Sequence, residues 1–175
     1  MSYVKSLKSR ESGEEYPIEP RTVCDIDFSP VEVAYDYKAM QGNVTRQSIE
    51  AGPLSLWRYK DLLPIDGEPK AGLHSGWTPL VKADKLAAEL GVKELYIKDD
   101  SANYPSFSYK DRVVSVAITK AIEFGFDTVG CASTGNLAHS VAAHAAAAGL
   151  HTFVMVPHDL EAGKMVGMSV FGPKV

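Results

Sequence analysis

The spacing of apolar residues alternates between a helical and a strand-like period from Trp77 to the end of the sequence. "KDRVVSVAITKAIEFG" and "NLAHSVAAHAAAAG" place apolar side chains at helical spacing, and each run ends in a glycine that would terminate a helix. "ELYIKDD", "TVGCA" and "HTFVMVP" are short apolar runs typical of strands. Strands that alternate with helices through short connections predict an α/β fold, in which helices flank a parallel sheet.

Before Trp77 the pattern is weaker and divides into two parts. Residues 1–37 are polar, lack helical periodicity and are interrupted by three prolines, so we expect a small extended or ribbon-like element. Residues 38–76 contain scattered turn signals such as "LLPIDGEP", and we interpret them as a lead-in segment that wraps the core. Residues 77–175 then form the α/β part.

Composition narrows the classes of function. A chain of 175 residues with 45% hydrophobic content can bury the core of an ordinary domain. Its net charge of -4 comes from interspersed acids and bases, so nucleic acid is not an expected partner. Neither a membrane-spanning run nor an apolar signal core is present, which indicates a cytoplasmic protein. With only Cys24 and Cys131, a disulfide framework is not expected.

Two sequence features predict an anion-binding site with an amine nearby. The loop "ASTGN" lies where a predicted strand ends and a helix begins, so its N–H groups and the hydroxyls of Ser133 and Thr134 would share one space at a positive helix terminus. Lys110 lies in the preceding strand-to-helix loop. Such loops meet at the carboxyl ends of parallel strands, where ligands bind. We therefore expect Lys110 and the "ASTGN" loop to line one crevice.

Simpler interpretations of the same residues stay open. A lysine at a helix start is most often a solvated surface residue, and Gly135 with Asn136 would also suit a tight turn with a cap. His139 and His144 lie five residues apart, which does not stack them on one helical face as a metal pair. The glycine patterns of dinucleotide-binding and phosphate-binding loops are absent after the predicted strands.

Three linked motifs carry a resemblance to a known family. "GWTPLVKADKLAAELGVKELYIKDD", "PSFSYKDRVVSVA" and "CASTGNLAHSVAAHAAAAG" resemble the opening half of the threonine synthases, in the same order and spacing over Gly76 to Val175. These are pyridoxal-phosphate enzymes of the tryptophan-synthase-β-like fold, also called fold type II. The resemblance implies the N-terminal part of such an α/β catalytic domain.

The resemblance also implies roles for individual residues. Lys110 would form the Schiff base with pyridoxal 5'-phosphate, and Asn136 would hydrogen-bond the ring hydroxyl of the cofactor. The loop residues Ser133, Thr134 and Gly135 would receive the carboxylate of the substrate, in agreement with the anion site expected from the pattern.

The implied activity is that of a lyase in threonine biosynthesis, which converts O-phospho-L-homoserine and water into L-threonine and phosphate. Members of this family are considerably longer, so the 175-residue chain alone is expected to be inactive. The full-length protein is a candidate homo-oligomer. One alternative is a serine or threonine dehydratase of the same fold, which would use the same lysine and loop. Another is a non-catalytic α/β binding module without a cofactor.

The sequence departs from the family pattern in two places. The family usually has glycine in P-T-G-S-F-K where this chain has Phe107, which changes the loop beside the cofactor. At the N-terminus, "LKSRESGEEYP" and "VCDIDFSPVEVAYDY" resemble the two knuckles of a zinc ribbon. Ser9, Ser12 and Asp27 stand at ligand positions, and Cys24 is retained. Hydroxyls are poor zinc ligands, so a degenerate ribbon without metal is expected.

Overall fold

The N-terminal residues form a small antiparallel sheet. The computed structural model describes residues 2–175. The sheet has the order β2-β1-β3, with β1 at Val4–Ser9, β2 at Glu15–Tyr16 and β3 at Val31–Tyr35. Both pairings are antiparallel, and β3 is rich in valine, which favours a pleated, half-buried strand.

A segment of short helices connects this sheet to the rest of the chain. It contains α1 (Tyr37–Met40), α2 (Arg46–Glu50) and 3-10 turns at Leu56–Leu62. Trp57 anchors the segment: its side chain is 3% exposed, and its Nε1 donates to the carbonyl oxygen of Gly72 at 2.9 Å. A buried indole whose N–H group is satisfied contributes apolar contact without a polar penalty.

The next unit is a pair of short strands joined by one helix. Strand β4 (Leu80–Lys82) pairs with β5 (Tyr96–Lys98), and α3 (Asp84–Glu89) connects them. Gly91 follows helix α3 with a left-handed φ of 65°, as is common after the C-terminus of a helix.

The remaining elements alternate between helix and strand, and the apolar periodicity predicts the first four of them. They are α4 (Lys110–Glu123), β6 (Thr128–Ala132), α5 (Asn136–Ala148), β7 (His151–Met155) and α6 (Ala162–Ser169). Strands β6 and β7 are parallel, as an intervening helix requires. The longest helix has 14 residues, and no helix within residues 2–175 is long and apolar enough to cross a membrane.

The prediction of one parallel sheet that includes β5 is wrong in detail. Strand β5 pairs antiparallel with β4, and within residues 2–175 it does not pair with β6 or β7. The reason is β4, a three-residue strand that periodicity did not reveal: it gives β5 a local partner. The fold remains α/β, with separate antiparallel and parallel pairs.

An apolar cluster holds helices α4 and α5 together and packs against strand β6. Val114 and Ile118 of α4 pack against Val141 and Ala145 of α5, and all four are at most 8% exposed. Burial of each larger aliphatic side chain contributes roughly 1.5–3 kcal/mol. Alanine favours the helical conformation, and its side chain is small, so α5 can lie close to α4. This packing fixes the starts of the two helices relative to each other.

Candidate active site

Lys110 is the first residue of helix α4. Its backbone N–H donates to Ser108 Oγ at 3.2 Å, which satisfies one of the free donors at the helix start. The ammonium group lies 5.0 Å from the ring centroid of Tyr109, and within residues 2–175 it forms no ion pair with a carboxylate. This side chain therefore lies beside an aromatic ring and has no carboxylate partner among the described residues.

The "STGN" loop joins strand β6 to helix α5. Ser133 N–H donates to the carbonyl oxygen of Met155, so the loop leaves the sheet in register with β7. Gly135 N–H donates to Ser133 Oγ at 3.3 Å, and Asn136 begins the helix. No side chain of the described residues caps this terminus, and Thr134 and Asn136 are exposed. The loop thus presents hydroxyls, an amide and uncapped N–H groups at the positive end of a 13-residue helix.

A hydrogen bond joins the starts of the two helices. Ser140 Oγ donates to Asp111 Oδ1 at 2.7 Å. Ser140 lies one helical turn after Asn136, and Asp111 follows Lys110 directly. The first turns of α4 and α5 are therefore neighbours, which brings Lys110 and the "STGN" loop to the same end of the helix pair.

The loop before Lys110 contains strained backbone at Phe107. Its φ is 57°, in the left-handed region that favours glycine, and its side chain is 70% exposed. This is the position where the resembling family has glycine. The main chain at Phe107 thus adopts a glycine-like conformation although the residue has changed.

Two charged residues that sequence reasoning did not select fix the start of α4. Asp111 is fully buried, and its carboxylate accepts hydrogen bonds from Ser106 N–H at 3.0 Å and Ser106 Oγ at 2.8 Å, besides that from Ser140. Arg112 points to a different segment and donates to both carboxylate oxygens of Asp100. An acid in the first turn of a helix commonly lies in solvent and complements the helix dipole, so the position of Asp111 does not indicate a buried role.

The carboxyl groups of Asp100 and Asp111 both have lowered pKa values. The hydrogen bond from the Arg112 guanidinium is the main cause of the lowered pKa of Asp100. Burial alone would raise the pKa of Asp111, but its contacts with His144 and Ser140, among others, outweigh burial and leave that pKa below its ordinary value. His144 Nε2 lies 3.3 Å from Asp111 Oδ1 but makes no well-aligned hydrogen bond to any of the described residues. Both carboxylates are thus ionised near neutral pH.

The N-terminal sheet brings together the four residues at the expected ligand positions of a zinc ribbon, which are Ser9, Ser12, Cys24 and Asp27. Ser9 Oγ donates to Asp27 Oδ2 at 2.9 Å, and Ser12 N–H donates to the same oxygen at 3.1 Å. Ser12 Oγ lies 3.7 Å from Cys24 Sγ, which is fully buried. The pKa of Asp27 is strongly lowered, chiefly by a hydrogen bond from the Ser29 hydroxyl. Within residues 2–175 no group of three or more His, Cys, Asp or Glu side chains has an arrangement suited to a metal ion.

Comparison with known proteins matches this site region to a described family. A model of the family described as "Pyridoxal-phosphate dependent enzyme" matches residues 72–175. The threonine synthase of Methanocaldococcus jannaschii is 40% identical over 147 residues, and that of Methanosarcina acetivorans is 39% identical over 171 residues. These alignments cover 83% and 97% of this chain, which spans 36% and 41% of the two relatives.

A solved structure shows the same fold. The processed form of threonine deaminase isoform 2 from Solanum lycopersicum superposes with a TM-score of 0.53 at 27% identity. The superposition covers 58% of this chain and 28% of that structure. The likeness therefore covers somewhat more than half of this chain and about a quarter of a longer protein.

Proposed function

Because this chain belongs to the family of pyridoxal-phosphate-dependent enzymes, we propose that it is the N-terminal part of a threonine synthase. The protein would convert O-phospho-L-homoserine and water into L-threonine and phosphate, by γ-elimination followed by β-addition of water. Identity of about 40% to two threonine synthases, over most of this chain, supports this choice within the family.

One structural observation carries the proposal. The hydrogen bond from Ser140 to Asp111 keeps the first turns of α4 and α5 together, at 2.7 Å between oxygens. As a result Lys110, which has no carboxylate partner in the described part of the chain, lies at one helix start. A loop of hydroxyls and N–H groups, which no described side chain caps, lies at the next. An amine beside an anion site suits an enzyme that attaches an aldehyde cofactor and then binds an amino acid.

The residues present fit pyridoxal phosphate. The free amine of Lys110 would hold the cofactor covalently, and the exposed side chain of Asn136, which makes no hydrogen bond within residues 2–175, would donate to the ring hydroxyl. Apart from the adjoining residues, no part of residues 2–175 comes within 4 Å of the place where a Cβ of Gly135 would stand, so there is open space beside the loop. When bound, the cofactor supplies an electron sink for negative charge at substrate carbons.

The chain's own residues would divide the remaining work. Ser133, Thr134 and Gly135 would bind the substrate carboxylate at the positive end of α5. Lys110 Nζ, displaced by the substrate amine, would take the proton from the substrate α carbon. Tyr109 would keep water from one side of that nitrogen, since its ring lies against it.

We further propose that the N-terminal sheet is a degenerate zinc ribbon. Its four former ligand positions are joined by hydrogen bonds to Asp27 and by the contact of Ser12 with Cys24, so polar side chains would replace the metal. The proposed organisation is a ribbon at residues 1–37, a lead-in segment at 38–76 and the catalytic part at 77–175.

The proposal extends to partners and location. The substrate is a small molecule, and the net charge of -4 without a basic patch disfavours nucleic acid. We place the enzyme in the cytoplasm, as a homo-oligomer at full length. Strands β4 and β5 expose apolar residues such as Leu80 and Ile97, which another subunit or a further part of the protein would cover.

Product analysis tests the proposed reaction. The protein that carries this sequence at the full length of its relatives is loaded with pyridoxal phosphate and incubated separately with O-phospho-L-homoserine and with L-threonine. Release of phosphate and threonine from the first substrate is the expected result. Release of a 2-oxo acid from threonine, without phosphate release, would assign the dehydratase activity that the threonine deaminase likeness suggests. An absorbance spectrum without a bound-cofactor band would indicate a non-catalytic module.

A further inference from the structure

We propose that Asp111 is a positioning residue, which fixes Lys110 for cofactor attachment by tying the loop before it to helix α5. The inference rests on the proposed role of Lys110. It concerns a side chain that does not itself touch the cofactor and that acts through its neighbour in the chain.

The first argument is the number of partners that this one carboxylate has. Oδ1 accepts hydrogen bonds from Ser106 Oγ at 2.8 Å and from Ser140 Oγ at 2.7 Å, while Oδ2 accepts one from Ser106 N–H at 3.0 Å. The side chain is fully buried, and His144 Nε2 lies 3.3 Å away. A buried carboxylate is tolerated only when its oxygens are well satisfied, so this geometry has little freedom to change.

The second argument is where these partners lie. Ser106 belongs to the loop that leads into Lys110, whereas Ser140 belongs to α5, one turn after Asn136. A carboxylate that served only to hold two helices together would not need the loop. Asp111 instead joins the loop, the start of α4 and the start of α5 at one point, next to the reactive lysine.

The third argument is that the loop needs such a restraint. Phe107 has a left-handed φ of 57°, which is unfavourable for a residue with a side chain. Its neighbour Ser106 is the residue that Asp111 binds through both backbone and side chain. Without the carboxylate the loop is free to relax toward ordinary backbone angles, which would move Lys110.

A separate anchor on the other side makes the restraint local. Arg112 binds both oxygens of Asp100 and also donates to Thr78 Oγ1 at 3.0 Å. This anchor would keep α4 in place when Asp111 is changed. Loss of Asp111 would then release the loop and the first turn while the helix stays docked.

The test measures where pyridoxal phosphate attaches. Purified wild-type chain and the Asp111→Asn variant are incubated with pyridoxal phosphate and reduced with borohydride, and the pyridoxyl group is mapped by peptide mass spectrometry. Asparagine keeps the shape but replaces one of the two acceptor oxygens with an NH2 group, which cannot accept a hydrogen bond from Ser106 or Ser140. We expect the label at Lys110, relative to other lysines, to fall about tenfold, the size of effect produced by a small misplacement of a reacting group.

A matched control separates positioning from stability. Glu123 lies on the same helix, is ion-paired with Lys120 at 2.9 Å and accepts a hydrogen bond from Asp66 N–H at 2.8 Å. The Glu123→Gln variant removes a structural carboxylate three turns away from Lys110. At an equal folded fraction, it should keep the wild-type amount of label at Lys110, whatever label the released Lys120 takes up.

Amide hydrogen exchange gives a second readout that needs no cofactor. In Asp111→Asn the N–H groups of the loop before Lys110 should exchange at least about tenfold faster, while the centre of α4 keeps its protection. If Asp111→Asn does not fold, Ser140→Ala carries the test, because it removes one donor and retains the carboxylate. It should lower the Lys110 label about threefold, as expected for one of several hydrogen bonds.

The outcomes separate this inference from the proposed function. A wild-type label at Lys110 that is unchanged in Asp111→Asn, or in Ser140→Ala where that variant replaces it, would overturn the positioning role alone. An equal loss of label in Glu123→Gln would also overturn it, since stability would then explain the effect. A wild-type chain without label at Lys110 would overturn the proposed cofactor role, and this inference with it.

Discussion

Arg112 binds Asp100 through two nitrogen atoms, with Nε 3.1 Å from Oδ2 and Nη2 2.9 Å from Oδ1. The pair connects helix α4 to the segment after β5, and both side chains are about three-quarters buried. Charge-assisted bidentate contacts of this kind are stronger than neutral hydrogen bonds. We predict that Asp100→Asn lowers the free energy of unfolding by about 2 kcal/mol at neutral pH, as measured by urea denaturation. An unchanged unfolding midpoint would contradict this assignment.

The same carboxylates predict how stability depends on pH. Asp100 and Asp111 have lower pKa values in the folded chain than the ordinary aspartate value of about 3.9. The unfolded chain therefore takes up protons first as the pH falls, and the stabilisation, which is complete above that value, is lost through about pH 4 and below. Thermal unfolding between pH 7 and pH 3 should show this loss, with a shallower slope in Asp100→Asn. Parallel slopes in the two proteins would contradict the prediction.

A glycine at position 107 should relieve the backbone strain at Phe107. Replacement by glycine removes the penalty of a left-handed φ and costs some chain entropy, so Phe107→Gly should raise the free energy of unfolding by about 0.5–1 kcal/mol. The control is Phe107→Ala, which removes the same exposed ring but keeps a Cβ. That variant should not be stabilised, and equal stabilisation of both variants would attribute the effect to the ring.

The N-terminal sheet makes a prediction about metal. Elemental analysis of the wild-type chain should show no stoichiometric zinc, because hydroxyls occupy two of the four ligand positions. Ser9→Cys, Ser12→Cys and Asp27→Cys together with the native Cys24 give two C-x-x-C pairs at positions that already meet. This triple variant should bind one zinc per chain and lose thermal stability on chelation. One zinc per wild-type chain, or none in the variant, would contradict the ribbon proposal.

The length of the chain makes a prediction about turnover. It spans 36% and 41% of the two related threonine synthases, and catalytic groups that act together lose most of their effect when some are missing. We expect no measurable phosphate release from O-phospho-L-homoserine by the 175-residue chain, and clear release by a version of the full family length. Comparable turnover by the two proteins would show that the site is complete in this chain.

Local pattern was enough to predict the elements that carry the site. The helix beginning at Lys110, the strand before Ser133 and the alanine-rich helix after it follow from apolar periodicity and terminal glycines, which are properties of neighbouring residues. The antiparallel pairing of β5 could not be predicted in this way. Its partner β4 has three residues, too few for a period to appear.

Tertiary contacts account for what the sequence did not reveal at the site. The role of Asp111 depends on Ser140, 29 positions later in the chain, and on a burial that the acid's place in a first helical turn does not suggest. The strain at Phe107 was indicated only by comparison with a family that has glycine there. Only the zinc-ribbon resemblance implied the contact between Ser9 and Asp27. Local pattern could not predict it, because the two residues are 18 positions apart in a weakly patterned segment.

Attachment of pyridoxal phosphate to Lys110 is the most direct test of the account. The wild-type chain, Lys110→Ala and a matched Lys120→Ala variant are each incubated with the cofactor, reduced with borohydride and mapped by mass spectrometry. Lys120 lies on the same helix but is paired with Glu123, so its loss should leave the labelling unchanged. The account predicts one dominant pyridoxyl group at Lys110 in the wild type and in Lys120→Ala, and its disappearance in Lys110→Ala. A dominant label on another lysine, or equal labelling of all three proteins, would contradict it.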